Sequence, residues 1–143
     1  MNIDDCLAQG LLKKIKPDRE KALRSLEVAE SKAKKAYTLL RLDIFDMSLV
    51  NSYSSMFHSA RALLFNDGFK ERSHFALYVY IKEKYKTKIE PRFLNELNVL
   101  RLERHGIFYE LETEEKSKPE AENALRVAQE FRTVMSKLLH ELR

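Results

Sequence analysis

Turn-forming residues are scarce in this chain, with three glycines and three prolines among 143 residues. Cysteine is scarcer still. The lone Cys6 excludes an intrachain disulfide, and no metal-ligand partner lies near it. There is no run of about 18 apolar residues, so no transmembrane helix is expected. The N-terminus MNIDDCLAQG carries acids where a signal peptide would carry basic residues, and a cytoplasmic location is expected. A glycine-rich phosphate loop, metal-spaced histidine pairs, a nucleophile elbow and a zinc cluster are all missing. Asp4 and Asp5 are adjacent and so point apart on a helix. Neither a metal nor another cofactor is expected.

What is present is 44% hydrophobic and 34% charged, rich in Leu, Ala, Lys and Glu. That balance points to an all-α protein. The length fits one domain over residues 1–143 with a real hydrophobic core. Helices are expected over about 3–14, 17–41, 47–66, 73–86, 91–111 and 118–142. Pro17 and Pro91 suit first turns, while Asp46 and Ser73 suit N-caps. Gly68 suits a left-handed stop, and Ser117 with Glu120 suits a capping box. The second helix shows a stripe of Leu23, Leu26, Ala29, Ala33, Tyr37 and Leu40. The third shows the cleanest periodicity, from Leu49 to Leu64. The fourth, with FALYVYI, could alternate as a strand, but no second strand candidate is evident to pair with it. The expected architecture is an antiparallel up-and-down bundle of five to six helices.

The net charge of +4 is unevenly spread. Residues 11–41 hold ten Lys/Arg against four Asp/Glu, whereas residues 110–122 hold six glutamates against two lysines. A basic arm and an acidic patch suit RNA contact or head-to-tail association. A solvated helix face gives the same pattern.

The fifth helix contains an anomaly. Phe93, Leu97, Leu100, Ile107, Phe108 and Leu111 share one face, and Arg104 falls near its centre with Arg101 on the flank. An arginine is rarely fully buried without a partner and keeps its proton. It therefore sits either in a salt bridge or in a cleft. Arg101, His105 and Tyr109 follow one another at i, i+4 and i+8 as a lateral stripe. Arginine can grip a phosphate with two hydrogen bonds, and histidine can move a proton near neutrality. Arg101, Arg104, His105 and Tyr109 are thus candidate catalytic residues for metal-independent RNA cleavage. They serve equally as a structural ion pair or a surface stripe. On the third helix, His58 and Arg61 could line the same groove, or Arg61 could bridge to an acid such as Glu103 or Asp46. His74 is most simply a surface or capping-region residue, and His140 suits a helix C-terminus.

The segments 53-YSSMFHSARALLFNDGF-69, Ser73-His74 and 104-RHGIFY-109 resemble the HEPN domain (higher eukaryotes and prokaryotes nucleotide-binding), in particular its small stand-alone prokaryotic branch. The opening 10-GLLKKIKPDREKALRSLEVAESKAKKA-36 is similar too, so the resemblance covers nearly the whole chain. It implies an all-α bundle, usually a homodimer with a cleft at the interface. It also implies a minimal nucleotidyltransferase as partner in a toxin–antitoxin-type pair, with RNA or a nucleotide as ligand. Active members are metal-independent endoribonucleases with four to six residues standing between an arginine and a histidine, so that His105 is one residue too close to Arg101. Here the residues at that spacing are Gly106, Ile107 and Phe108 after Arg101, and Tyr109, Glu110 and Leu111 after Arg104. The ribonuclease motif is not intact. The match is instead to the branch's Arg-x-x-x-x-Tyr form, Arg104 to Tyr109, with Phe108 where an aspartate often stands. Some nucleotidyltransferases adenylylate a HEPN tyrosine, which makes Tyr109 of interest.

Three readings follow: an RNA- or nucleotide-binding HEPN protein that does not cleave, an endoribonuclease with a non-standard arrangement, and a purely structural dimerisation module. Tyr78, Tyr80, Tyr85 and Phe69 are candidate dimer-interface residues.

Overall fold

The computed structural model describes residues 1–110 and 115–142. Leu111 and part of the acidic stretch fall outside the described residues. Six helices occur among those described: α1 (Ile3–Ala8), α2 (Arg19–Arg41), α3 (Phe45–Asp67), α4 (His74–Lys84), α5 (Pro91–Tyr109) and α6 (Lys118–Glu141). Two short strands, β1 (Leu12–Lys14) and β2 (Phe69–Glu71), complete the order. The protein is an all-α bundle carrying a two-stranded ribbon. No helix is long and apolar enough to cross a membrane, among the described residues.

The centre of the bundle is the α2–α3 hairpin, whose seam is built from small residues. Ala22, Ser25, Ala29, Ala33 and Ala36 on α2 are buried, as are Ser48, Ser52, Ser55 and Ser59 on α3. Three hydroxyls cross the seam. Ser48 donates to the Ala36 carbonyl at 2.7 Å, Ser55 to Ala29 at 2.8 Å and Ser25 to His58 at 2.7 Å. One partner's number falls as the other's rises, as antiparallel helices in fixed register require. Leu23 and Tyr37 of the expected α2 stripe are exposed instead. The small residues let the backbones approach closely, so the face that α2 buries is the alanine–serine one rather than the one with the largest side chains. On its other faces α3 contributes Leu49, Tyr53, Met56, Leu63 and Leu64 to a core shared with Phe93, Leu97 and Leu100 of α5 and Phe131, Met135 and Leu139 of α6. Each large apolar side chain so buried stabilises the fold by roughly 1.5–3 kcal/mol before entropy costs.

Several ends match expectation. Ser73 accepts from the Ala76 amide, Ser117 and Glu120 form the capping box, Pro91 opens α5, and Gly68 closes α3 at φ 89°. A Cβ at Gly68 would lie 2.8 Å from the Ile15 carbonyl oxygen, so close approach as well as the left-handed backbone requires glycine there.

Other ends differ. The first helix stops at Ala8, because the chain turns at Gly10 (φ 73°) and then runs extended as β1. Pro17 precedes the α2 helix, whose N-cap is Asp18, accepting from the Lys21 amide at 3.0 Å. Helix α3 begins at Phe45 after Ile44, so Asp46 lies in its first turn rather than at the cap. The strands pair antiparallel with Leu12 opposite Glu71, Lys13 opposite Lys70 and Lys14 opposite Phe69. This ribbon straps the N-terminal arm over the end of α3, helped by bonds from Ile15 N to Gly68 O and from Asp18 N to Phe65 O, both 2.9 Å. The FALYVYI segment is helical, as expected.

Candidate functional site

Along one face of α3, Tyr53, Phe57 and Arg61 recur every four residues, and the first turn of α4 lays His74 against them. The His74 ring stacks on Phe57 with centroids 4.4 Å apart and on Tyr53 at 5.6 Å. The buried Tyr53 hydroxyl lies 2.7 Å from His74 Nδ1. Burial raises the Tyr53 pKa, so the phenol keeps its proton, and the direction of its bond to Nδ1 follows the imidazole tautomer. Burial also lowers the His74 pKa, and the positive charges of Arg104, Arg101 and Arg61 lower it further. His74 is therefore a neutral imidazole held among arginines. It is half-buried and fixed in place, not a loose surface residue.

The two arginines come from α5. This helix buries Phe93, Leu94, Leu97 and Leu100, but its second half leaves the core, and Phe108 is 47% exposed. Arg104 thus occupies a core-facing position where the core has thinned. Its guanidinium lies 5.0 Å from the Phe108 ring centroid. Arg101 rests over Phe75 at 5.3 Å and donates from Nε and Nη2 to Asn98 Oδ1 at 3.2 and 2.9 Å. Among the described residues, neither arginine is ion-paired with a carboxylate. Arg104 is half-buried over Phe108, not in a salt bridge to any of these residues. Two permanent cations beside a neutral imidazole are suited to a phosphate.

The remaining sequence candidates lie elsewhere. His105 and Tyr109 are exposed, Tyr109 to 69%, and their rings pack on each other at 4.8 Å. No hydrogen bond joins either of them to Arg101 or Arg104 among the described residues. Arg61 is tied to Glu71 of β2, with Nε 2.7 Å from Oε1, and lies over Phe57 and Phe65. Its partner is therefore neither Glu103 nor Asp46. Glu71 is buried, which raises its pKa against the opposing pull of Arg61. His58 packs edge-on against Phe57 at 5.4 Å. Its pKa is lowered to about 4, first by burial and then by the charges of Arg61, Lys32 and His74. His58 thus abuts the aromatic ladder at Phe57, while Arg61 continues it on the same face.

Sequence reasoning missed His74 and Tyr53 as members of the cluster. The available signal was the Ser73-His74 pair within the family resemblance. Of the suggested interface residues, Tyr80 and Tyr85 are buried within the chain and donate to Asp67 Oδ2 at 2.7 and 2.6 Å, so they cannot form a dimer face.

A family model described as HEPN domain matches residues 22–138. No curated protein matches the chain.

Proposed function

Given that the chain belongs to the HEPN family, we propose that it binds RNA or a nucleotide through phosphate, without cleaving it. In this reading it is the HEPN component of a toxin–antitoxin-type pair with a minimal nucleotidyltransferase. One observation carries the reading. Arg101 and Arg104 stand beside a neutral His74, with no carboxylate among the described residues to neutralise them. A guanidinium pair can bind phosphate oxygens.

The same arrangement is poor for cleavage. Attack by a ribose hydroxyl needs a base to take its proton and an acid to protonate the leaving oxygen. The His74 Nδ1 is engaged by Tyr53, and burial and the neighbouring arginines oppose protonation of the ring. His105 is exposed and packed on Tyr109, with no bond to either arginine. The exposed Tyr109 hydroxyl is accessible to a modifying partner.

A homodimer belongs to the same proposal. Val99 and Leu102 are 46% and 54% exposed and project from the side of α5 away from the core. Pairing two such faces would set Arg101, which lies between that face and the core, at the edge of the interface cleft.

The test is an anisotropy titration of a fluorescein-labelled single-stranded RNA in EDTA, with the same samples run on a denaturing gel. The wild type should bind and leave the RNA intact, and the Arg101→Gln/Arg104→Gln variant should bind at least tenfold more weakly while remaining folded. Cleavage that is lost in His105→Ala would replace this reading with an endoribonuclease. Equal binding by the double variant would remove the arginines from the site.

A further inference from the structure

A second cluster of cations lies on a different surface. The β-ribbon, the loop after β1 and the first turn of α2 enclose a cavity of about 470 Å³ lined by Lys13, Lys16, Lys21, Lys70 and Arg72, with Asp18 as its one carboxylate. All five cations are exposed, and none is ion-paired among the described residues. Asp18 is already committed as the α2 N-cap, accepting from the Lys21 amide. The nearby Glu71 is turned inward to Arg61.

The ribbon's register concentrates this charge. Leu12 and Glu71 form a facing pair and both are buried, so the pleat sends the next pair, Lys13 and Lys70, outward together. Like charges directly opposite one another in a ladder are destabilising. An anion seated between them turns that repulsion into attraction. The cavity is lined by point charges, and its lining contains no aromatic residue on which a base could stack.

We propose that this cavity is a second nucleic-acid contact, which holds backbone phosphates of an RNA strand without regard to sequence. It depends on the reading above only for the chain that carries the phosphates, since it uses none of the same residues. Lysines in such a pocket suit phosphate neutralisation with release of counterions.

The experiment measures stability and binding on the same variants. Replacing Lys13→Gln/Lys70→Gln removes the cross-strand repulsion, so thermal unfolding should occur at the same or a higher temperature. Affinity for a labelled 20-nucleotide single-stranded RNA should nevertheless fall at least fivefold, alike for oligo(U) and a mixed sequence. A second variant, Lys16→Gln/Arg72→Gln, lies outside the strands and should weaken binding in the same way even if the first variant disturbs the ribbon. RNA binding unchanged in both variants would overturn the proposal. Inorganic pyrophosphate that competes for these residues as well as equimolar RNA would also overturn it, making the cavity a free-anion site. Loss of binding in the lysine variants but not in Arg101→Gln/Arg104→Gln would keep this site and remove the arginine one; the converse would do the reverse. A wild type that does not bind RNA would sink both.

Discussion

Arg104 poses the sharpest question at the scale of single residues, because a cation on a core-facing stripe must be either paired or presented. It is presented, half-buried over Phe108. Breaking a buried ion pair by removing one partner costs about 3–5 kcal/mol. Arg104→Ala should instead lose no more than about 1 kcal/mol, the size of a partly exposed cation–aromatic contact, as measured by urea unfolding. A larger loss would return the residue to a structural role. Tyr53→Phe deletes the hydroxyl that holds the His74 ring and should cost about 0.5–1.5 kcal/mol, with a weaker grip on RNA as the imidazole is freed to turn. His58 gives a pH prediction. Its folded pKa of about 4 lies below its ordinary value of about 6.5. Between these values the unfolded chain binds more protons than the folded one. This contribution is complete above about pH 6.5 and declines by roughly 1–3 kcal/mol as the pH falls towards 4. Unfolding measured across that range should show a shallower acid limb in His58→Gln than in the wild type. Equal slopes would mean that His58 is not held neutral.

Among elements, the helices with strong end signals were readable in the sequence. Ser73, Gly68, Pro91 and the Ser117–Glu120 box all stand where local chemistry puts them. The α2–α3 seam was harder to read. Periodicity favours large apolar side chains, whereas this seam is sealed by alanines and serines, with the hydroxyls of Ser25, Ser48 and Ser55 bonding across it. The ribbon was invisible for a related reason. Each strand is three residues long, and its partner lies more than fifty positions away. In the site, the arginines were legible because they share one helix. Tyr53 and His74 sit on separate helices and meet only after folding. His105 and Tyr109 had suggestive spacing, but spacing along a helix cannot tell an outward flank from a cleft. Gly68 carries the element-level prediction. Gly68→Ala combines a left-handed backbone with a clash against the Ile15 carbonyl. It should cost more than about 1 kcal/mol and loosen the β-ribbon, seen as faster amide exchange at Ile15 and Asp18.

The whole molecule presents two cationic surfaces and one exposed apolar face. Val99→Glu/Leu102→Glu would place like charges on both sides of a symmetric α5 contact, and light scattering at micromolar concentration should show a monomer where the wild type shows a dimer. A wild-type monomer would remove the interface. The central claim is that the α5 arginines grip phosphate. It is tested most directly by the salt dependence of RNA affinity in EDTA, with the wild type beside Arg101→Gln/Arg104→Gln. Each phosphate contact contributes about 0.7 to the slope of log affinity against log salt for a single strand. Losing two contacts should therefore flatten the slope by about 1.4, while the RNA remains uncut in both samples. Parallel slopes for the two proteins would contradict the claim.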